Sequence, residues 1–493
     1  MTIISDLISL CAALHRPEEL SVEGYHRQTR DHIASLQSST WSQAIRSVVL
    51  EEGLLDNFDP STDSAIYLII LYLKIETISK STRQLPVDLA PSGELWLRAS
   101  HFFATFDPIQ VRYLGNEWRQ LIGLIAQSAQ ANSKPLLAAQ IIRDALLRLD
   151  PSSAVVSSTH LLLVRLCLQA QAYTCALPVL DKHITQIPLL TATAPPTSSI
   201  FHAKDKSSLA FINEATGLSA KMKIRDNMQY FLYGGMVFMA LKQWQKASYF
   251  LGNAFSIKTH GTMSKIQVEA YKKWILVSLL ESGSRREPPV SITSQHLENL
   301  QFHAKPYIDF AQAFISSDYK KVEAQVQASQ DLWTADYNMG LINQVLVAFK
   351  KYSLIKINKT FAALTVSEIS EQLSWLPDDP KGAESSIASL IMSGALNAVL
   401  VHRPMADTMV RFINETTSPR LSHEIETQDR FKGESQSLEA LMRGLTEINH
   451  SLGLSDAYVD GLETSQHMEE DRAMTTMTNI GTDIEEDLMV DFS

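Results

Sequence analysis

Between Tyr230 and Gly283 the chain reads YFLYGGMVFMALKQWQKASYFLGNAFSIKTHGTMSKIQVEAYKKWILVSLLESG. Small residues recur where neighbouring helices would have to approach closely, Gly234 and Gly235 among them. Such a pattern builds a stack of helical hairpins, and a stack of hairpins usually serves as a scaffold. A weak internal repeat points the same way. From Ala126, the residues Ala129, Ala138, Ile142 and Ala145 follow at offsets of 3, 12, 16 and 19. The same offsets give Cys167, Ala176, Leu180 and His183 from Val164, and Phe238, Ala247, Leu251 and Ala254 from Gly235. His183 fits poorly, and the Gly235 copy is the clearest. Small residues at a crossing with bulkier ones a turn away are what a tetratricopeptide-like array requires.

A chain of 493 residues, 45% hydrophobic, can bury several such units. The longest apolar run, Ala65 to Leu73, is too short for a bilayer, which needs about 20 residues, and reads as a buried helix. The N-terminal MTIISDLISLCAALHR has an acid at Asp6 and no basic stretch ahead of its apolar residues, unlike a secretory signal. Cys11, Cys167 and Cys175 form no CxxC pair and point to reduced thiols in the cytoplasm or nucleus, the last two as small core residues. Charge is concentrated: from Ser455 to Ser493 eleven acids face one base, Arg472, so this tail carries minus ten of the net minus 11. Its composition reads as a solvated extension that could dock a basic partner.

The predicted organisation is mainly α. Residues 1–208 form N-terminal helical repeats, with Trp118 to Asp150 as one helix pair and a Pro-rich linker at 188–208. Residues 209–337 continue a right-handed solenoid, broken by a surface loop from Ser282 to Ser294. From 338 to 413 the period changes. A helix from Asn338 to Lys351 is followed by a short one capped by Thr365 and Glu368. A third runs from Lys381 to Ser393 and is closed by Gly394. Leu396, Ala398 and Leu400 then alternate with Asn397 and Val399, while Val410 and Phe412 flank Arg411, which predicts a two-stranded hairpin around HRPMAD. Three helices followed by a hairpin is the order of a winged helix. A helix within 433–452 carries Leu438, Leu441, Met442, Leu445, Ile448 and Leu452 on one stripe. It would bury that stripe on its own domain or between partner helices. Residues 453–493 complete the acidic tail.

Catalytic and cofactor motifs are missing. No His-x-His, HExxH, GxxxxGK[ST] or GxSxG occurs, and Gly234 and Gly235 lack the third glycine of a dinucleotide fingerprint. No catalytic, metal or cofactor residue is therefore assigned. His402, beside Arg403, reads as a solvated side chain. Nucleic-acid binding fares little better. Gly340 to Phe412 holds seven bases and six acids, against the 6 to 10 phosphates a firm DNA binder neutralises. The helix KGAESSIASLIMSG has nothing for a bidentate base contact. The Lys350 to Lys359 cluster reads as a solvated face.

The helical repeats closed by a winged helix resemble the PCI domain shared by the proteasome lid, the COP signalosome and translation initiation factor three. The wording YGGMVFMALKQWQKASYFLGNAF, EAYKKWILVSLL and DYNMGLINQVLVAFKKYSLIKINKTFAALTVSEIS is similar to the signalosome's subunit 3 family, over residues 225 to 400. That resemblance implies a non-catalytic scaffold subunit supporting removal of Nedd8 from cullin-RING ligases by a separate zinc subunit. Implied partners are the other PCI and MPN subunits and, through the complex, the ligases, in cytoplasm and nucleus, with neither membrane nor nucleic acid. Family members pair through their winged helices and gather their C-terminal helices into a bundle. Here that falls on Leu396, Val399, Val401, Val410 and Phe412, and on Leu438, Leu441, Leu445, Ile448 and Leu452. A lid subunit is the alternative reading, and a winged-helix nucleic-acid adaptor a second.

Overall fold

The computed structural model describes residues 2–12, 22–51, 53–182, 184, 211–259, 263–377, 379–403 and 406–413, with 428, 431–436, 438–439, 441–446 and 449. The linker at 188–208, His183, Ile448, Leu452 and the acidic tail lie outside them. The chain divides into two units, Met1–Pro419 and Arg420–Ser493.

The first unit is an array of helices. It opens with α1 (Thr2–Ala12), α2 (Val22–Leu36), α3 (Ser39–Val48), α4 (Ser64–Thr82), α5 (Glu94–Thr105) and α6 (Pro108–Val111). Three longer helices follow, α7 (Gly115–Ala131), α8 (Pro135–Leu149) and α9 (Ser158–Gln169), then the short α10 (Leu177–Leu180). Beyond the undescribed stretch come α11 (Ile224–Ala240), α12 (Trp244–Ser256) and α13 (Lys265–Ser282), then α14 (Ser294–His303), α15 (Lys305–Ile315), α16 (Tyr319–Ala328) and α17 (Gln330–Ala335). The apolar run from Ala65 forms the buried heart of α4, as expected.

The repeat read from residue offsets has a backbone counterpart. Seven residues after Ala126, Val164 and Gly235 lie Ser133, Gln171 and Lys242, each in the left-handed region at φ 54°, 54° and 57°. In each turn the next amide bonds back to the repeat's second position: Lys134 N–H to Ala129, Ala172 N–H to Cys167 and Gln243 N–H to Phe238, at 2.8, 3.0 and 2.9 Å. This pattern ends a helix by satisfying its last carbonyls and turns the chain sharply into the next one. A fourth copy, invisible in the offsets, places Tyr337 at φ 54° with Asn338 N–H on the Trp333 carbonyl at 2.9 Å.

The glycine pair is a crossing point, as its sequence setting suggests. A Cβ on Gly234 would lie 2.6 Å from the Phe250 ring, and one on Gly235 2.8 Å from Leu251. Their absence lets α12 seat Phe250 and Leu251 directly on α11. There Phe250 meets Phe231 and Phe238 with ring centres 5.8 and 5.1 Å apart, within the separation at which aromatic pairs attract. Ala247 and Ala254 are fully buried on the same face.

One hydrophobic core extends from Leu7 to Phe349 and a second from Leu354 to Phe412. The helix α18 (Met339–Asn358) contributes Ile342, Val345 and Phe349 to the first and Leu354 and Ile357 to the second. It runs seven residues beyond the expected Lys351, because it must reach into the second core. After it come β1 (Ala363–Thr365), α19 (Val366–Gln372), α20 (Pro380–Met392), β2 (Ala398–Arg403) and β3 (Ala406–Phe412). The strands form an antiparallel sheet in the order β1-β3-β2, and with α18 this is the element order of a winged helix. Strand β1 was not foreseen: three residues cannot display an alternating pattern, and it exists only through pairing with β3. Thr365 and Glu368 form the expected capping box, and Gly394 ends α20 at φ 72°.

In the second unit, residues 431–436, 438–439 and 441–446 are helical. The described helical turns thus begin ahead of residue 433, where the helix is expected to start.

Candidate interaction surfaces

The three-stranded sheet has two unequal faces, and its register sorts them. Opposite residues are Leu364 and Val410, Leu400 and Val410, and Ala398 and Phe412 on the inner face. Outward lie Ala363 with Arg411, Thr365 with Met409, Val399 with Arg411, and Val401 with Met409. Because side chains alternate along a strand, burial follows the same division. Val410 is fully buried, Leu396 and Phe412 are 3% and 5% exposed, whereas Val399 is 48% and Val401 36% exposed. Three of the five expected partner residues therefore need correction: Leu396, Val410 and Phe412 belong to the wing's own core, where they pack with Ile369, Ile387 and Leu390. Val399 and Val401 remain on the outer face. Met409 joins them there, opposite Val401, and extending the alternation two residues back from Arg411 would have found it.

This outer face combines branched apolar side chains on an edge strand with one guanidinium. Beside it, Thr408 donates to Glu384 of α20 at 2.9 Å, and His402 Nδ1 lies 3.1 Å from the Thr408 hydroxyl and 3.6 Å from Glu384. His402 is 65% exposed, a solvated side chain as expected, and makes this local contact from the surface. Glu368, capping α19, accepts the Thr365 N–H at 2.8 Å, and that bond holds its carboxyl below the usual range.

The exposed side of α20, where a nucleic-acid reader would place its contacts, offers Lys381, Ser385, Ser389 and Met392, the last 89% exposed. The lysines of α18 are engaged within the protein. Lys350 lies over the Trp375 ring at 5.3 Å, Lys351 over Tyr352 at 5.7 Å, and Lys356 donates to Ser317 at 3.0 Å. Such cation–ring contacts occupy charges that phosphate binding would need free.

In the second unit the stripe is uncovered. Leu438, Leu441, Met442 and Leu445 are 60%, 53%, 62% and 59% exposed. These four exposed large apolar side chains, the described members of the expected stripe, are of the kind that marks a protein contact.

A buried polar cluster holds the approach to the wing. Lys272 pairs with Asp336 at 2.7 Å, Tyr307 donates to Asp336 at 2.8 Å, and Asn338 donates to Tyr307 at 2.8 Å. Lys273, buried, donates to Asn338 at 2.8 Å and pairs with Glu269. Burial pushes the Tyr307 hydroxyl well above the ordinary tyrosine range. The cluster joins α13, α15 and the start of α18, and its satisfied charges read as structural glue. Among the described residues no group of three or more His, Cys, Asp or Glu side chains could hold a metal ion, and no helix is long and apolar enough to cross a membrane.

Comparison with known proteins bears on this arrangement. Residues 27–296 match the family described as "COP9 signalosome complex subunit 3, N-terminal helical repeats". A protein of Emericella nidulans named COP9 signalosome complex subunit 3 is 35% identical over 500 aligned positions, covering 99% of this chain and all of the relative. The chain belongs to the COP9 signalosome subunit 3 family. More distant members of the subunit 3 family are similar at 24% identity. The Neurospora crassa protein aligns over 89% of this chain and 87% of its own length, and the Arabidopsis thaliana protein over 82% and 83%. The family match ends at residue 296, at the start of α14, while the alignment with the Emericella nidulans relative continues through the three-stranded sheet.

Proposed function

We propose that this protein is a non-catalytic scaffold subunit of the COP9 signalosome, working in cytoplasm and nucleus. It positions other PCI and MPN subunits so that a separate zinc metalloprotease subunit removes Nedd8 from cullin-RING ubiquitin ligases. The observation that carries the reading is the similarity, along the whole chain, to a relative named as signalosome subunit 3. Two features support it. The wing turns an apolar sheet face outward at Val399, Val401 and Met409, and the stripe at Leu438, Leu441 and Leu445 lies uncovered. Both suit protein contacts, and neither carries groups for chemistry. In this reading the outer sheet face pairs with a neighbouring winged helix, and the stripe enters a bundle of partner helices.

Affinity purification of the tagged chain followed by mass spectrometry tests it. Recovery of a deneddylase subunit with other PCI subunits is expected. Recovery of proteasome ATPases without deneddylase subunits would overturn the reading in favour of a lid subunit.

A further inference from the structure

The outer face of the wing sheet carries a charge on its middle strand. Arg411 stands on β3, with Ala363 opposite it on β1 and Val399 on β2. One pleat along, Met409 lies between Thr365 and Val401. Arg411 is exposed, and no hydrogen bond or ion pair joins its guanidinium to another described residue. The acids of the same strand and its neighbouring helix are engaged elsewhere. Asp407 lies four residues back along β3, roughly 13 Å of extended strand, and accepts the Ser367 hydroxyl at 2.9 Å. Glu368 accepts the Thr365 N–H at 2.8 Å. A guanidinium in water loses nothing by standing unpaired. One covered by an apolar partner surface gives up its hydration and has to be matched by a negative charge.

We propose that Arg411 determines which partner docks on this face, and that the partner is a different protein chain presenting an aspartate or glutamate to the guanidinium within an apolar surround. This chemistry rests on the reading of the face as the seat of a neighbouring winged-helix subunit and adds to it the charge that subunit must carry. The apolar surround covers Val399, Val401 and Met409, while the carboxylate meets Arg411 between Ala363 and Val399. The planar guanidinium offers parallel N–H donors that a carboxylate accepts two at a time, so position is selected along with charge. Burial of the apolar residues favours association with many surfaces. The requirement for a carboxylate rejects those that would leave Arg411 covered and unpaired. A second copy of this chain suits the face poorly, since it brings another Arg411, and its Asp407 and Glu368 are already bonded.

Complexes purified through the tagged full chain test this, with Arg411→Lys, Arg411→Met and Arg411→Glu beside the wild type. The variants should keep the wild-type denaturation midpoint, because the side chain is exposed. Recovery of one PCI subunit should fall at least about tenfold in Arg411→Glu, less in Arg411→Met and least in Arg411→Lys. A water-soluble carbodiimide joins a lysine amine to a carboxylate in direct contact with it. In Arg411→Lys it should link position 411 to an aspartate or glutamate of that same subunit, read by mass spectrometry of the cross-linked peptide. Unchanged recovery in Arg411→Glu would overturn the proposal. So would a link from position 411 to a second copy of this chain, or no link there while other lysines of the complex react. If deneddylase and PCI subunits are still recovered in those cases, the scaffold reading stands and only the role of Arg411 falls. If the wild-type chain recovers no PCI subunit, both fall. Should Arg411→Glu unfold, the Arg411→Lys cross-link decides alone.

Discussion

Lys242 ends α11 in the left-handed region without being glycine, a conformation that costs an L-residue about 1–2 kcal/mol. Replacing it with Gly relieves that strain, while the greater freedom of Gly in the unfolded chain offsets part of the gain. Lys242→Gly should therefore raise stability by about 1 kcal/mol or less, read as a higher denaturation midpoint in urea. His160 is strained electrostatically instead. It is fully buried at the start of α9, its Nδ1 accepts the Ser157 N–H at 3.2 Å, and the Tyr230 ring lies edge-on to it. Burial lowers its pKa from 6.5 to about 4. Below the unfolded value the denatured chain takes up a proton that the folded chain refuses. The contribution is thus complete above pH 6.5 and is lost as pH falls towards 4, amounting to about 3 kcal/mol. Denaturation midpoints measured from pH 7 to 4.5 should fall, and His160→Gln should flatten that slope.

Among elements, the sheet and the C-terminal helix carry the functional reading. Charged replacements on the outer face, Val399→Asp with Val401→Asp, should leave thermal stability nearly unchanged, since both side chains are exposed, and should lower recovery of partner subunits in pull-downs. Removing residues 433–493 should weaken incorporation into the complex, while removing only 453–493 should not. Quantitative mass spectrometry of purified complexes distinguishes the two. Much of this was legible in the sequence: the glycine crossing, the Thr365 cap, the end of α20 at Gly394 and the alternation along β2 and β3 are all local signals. The in-or-out sense of that alternation was not, because Val399 and Val410 look alike until a core lies on one side of the sheet. Nor was β1, whose three residues acquire their identity from β3.

At the scale of the first unit, α18 is shared. Its first half is packed into the solenoid core and its second half into the wing, with the Lys272, Asp336, Tyr307 and Asn338 cluster fastening its start. A break in its middle should release the wing alone. Lys351→Pro removes a helical hydrogen bond at a cost of about 3 kcal/mol, and hydrogen exchange should then rise in α19 and α20 but not in α7 to α9. Intact, this helix is twenty residues long, roughly 30 Å, with no flexible joint between the two cores. A tilt of about 6° where it leaves the stack displaces its far end by roughly 3 Å, enough to misalign a strand with its neighbour. The wing then behaves as a pointer on a rigid arm. Any partner that bends the repeats changes its bearing, so strain applied at one end of the array is delivered as aim at the other.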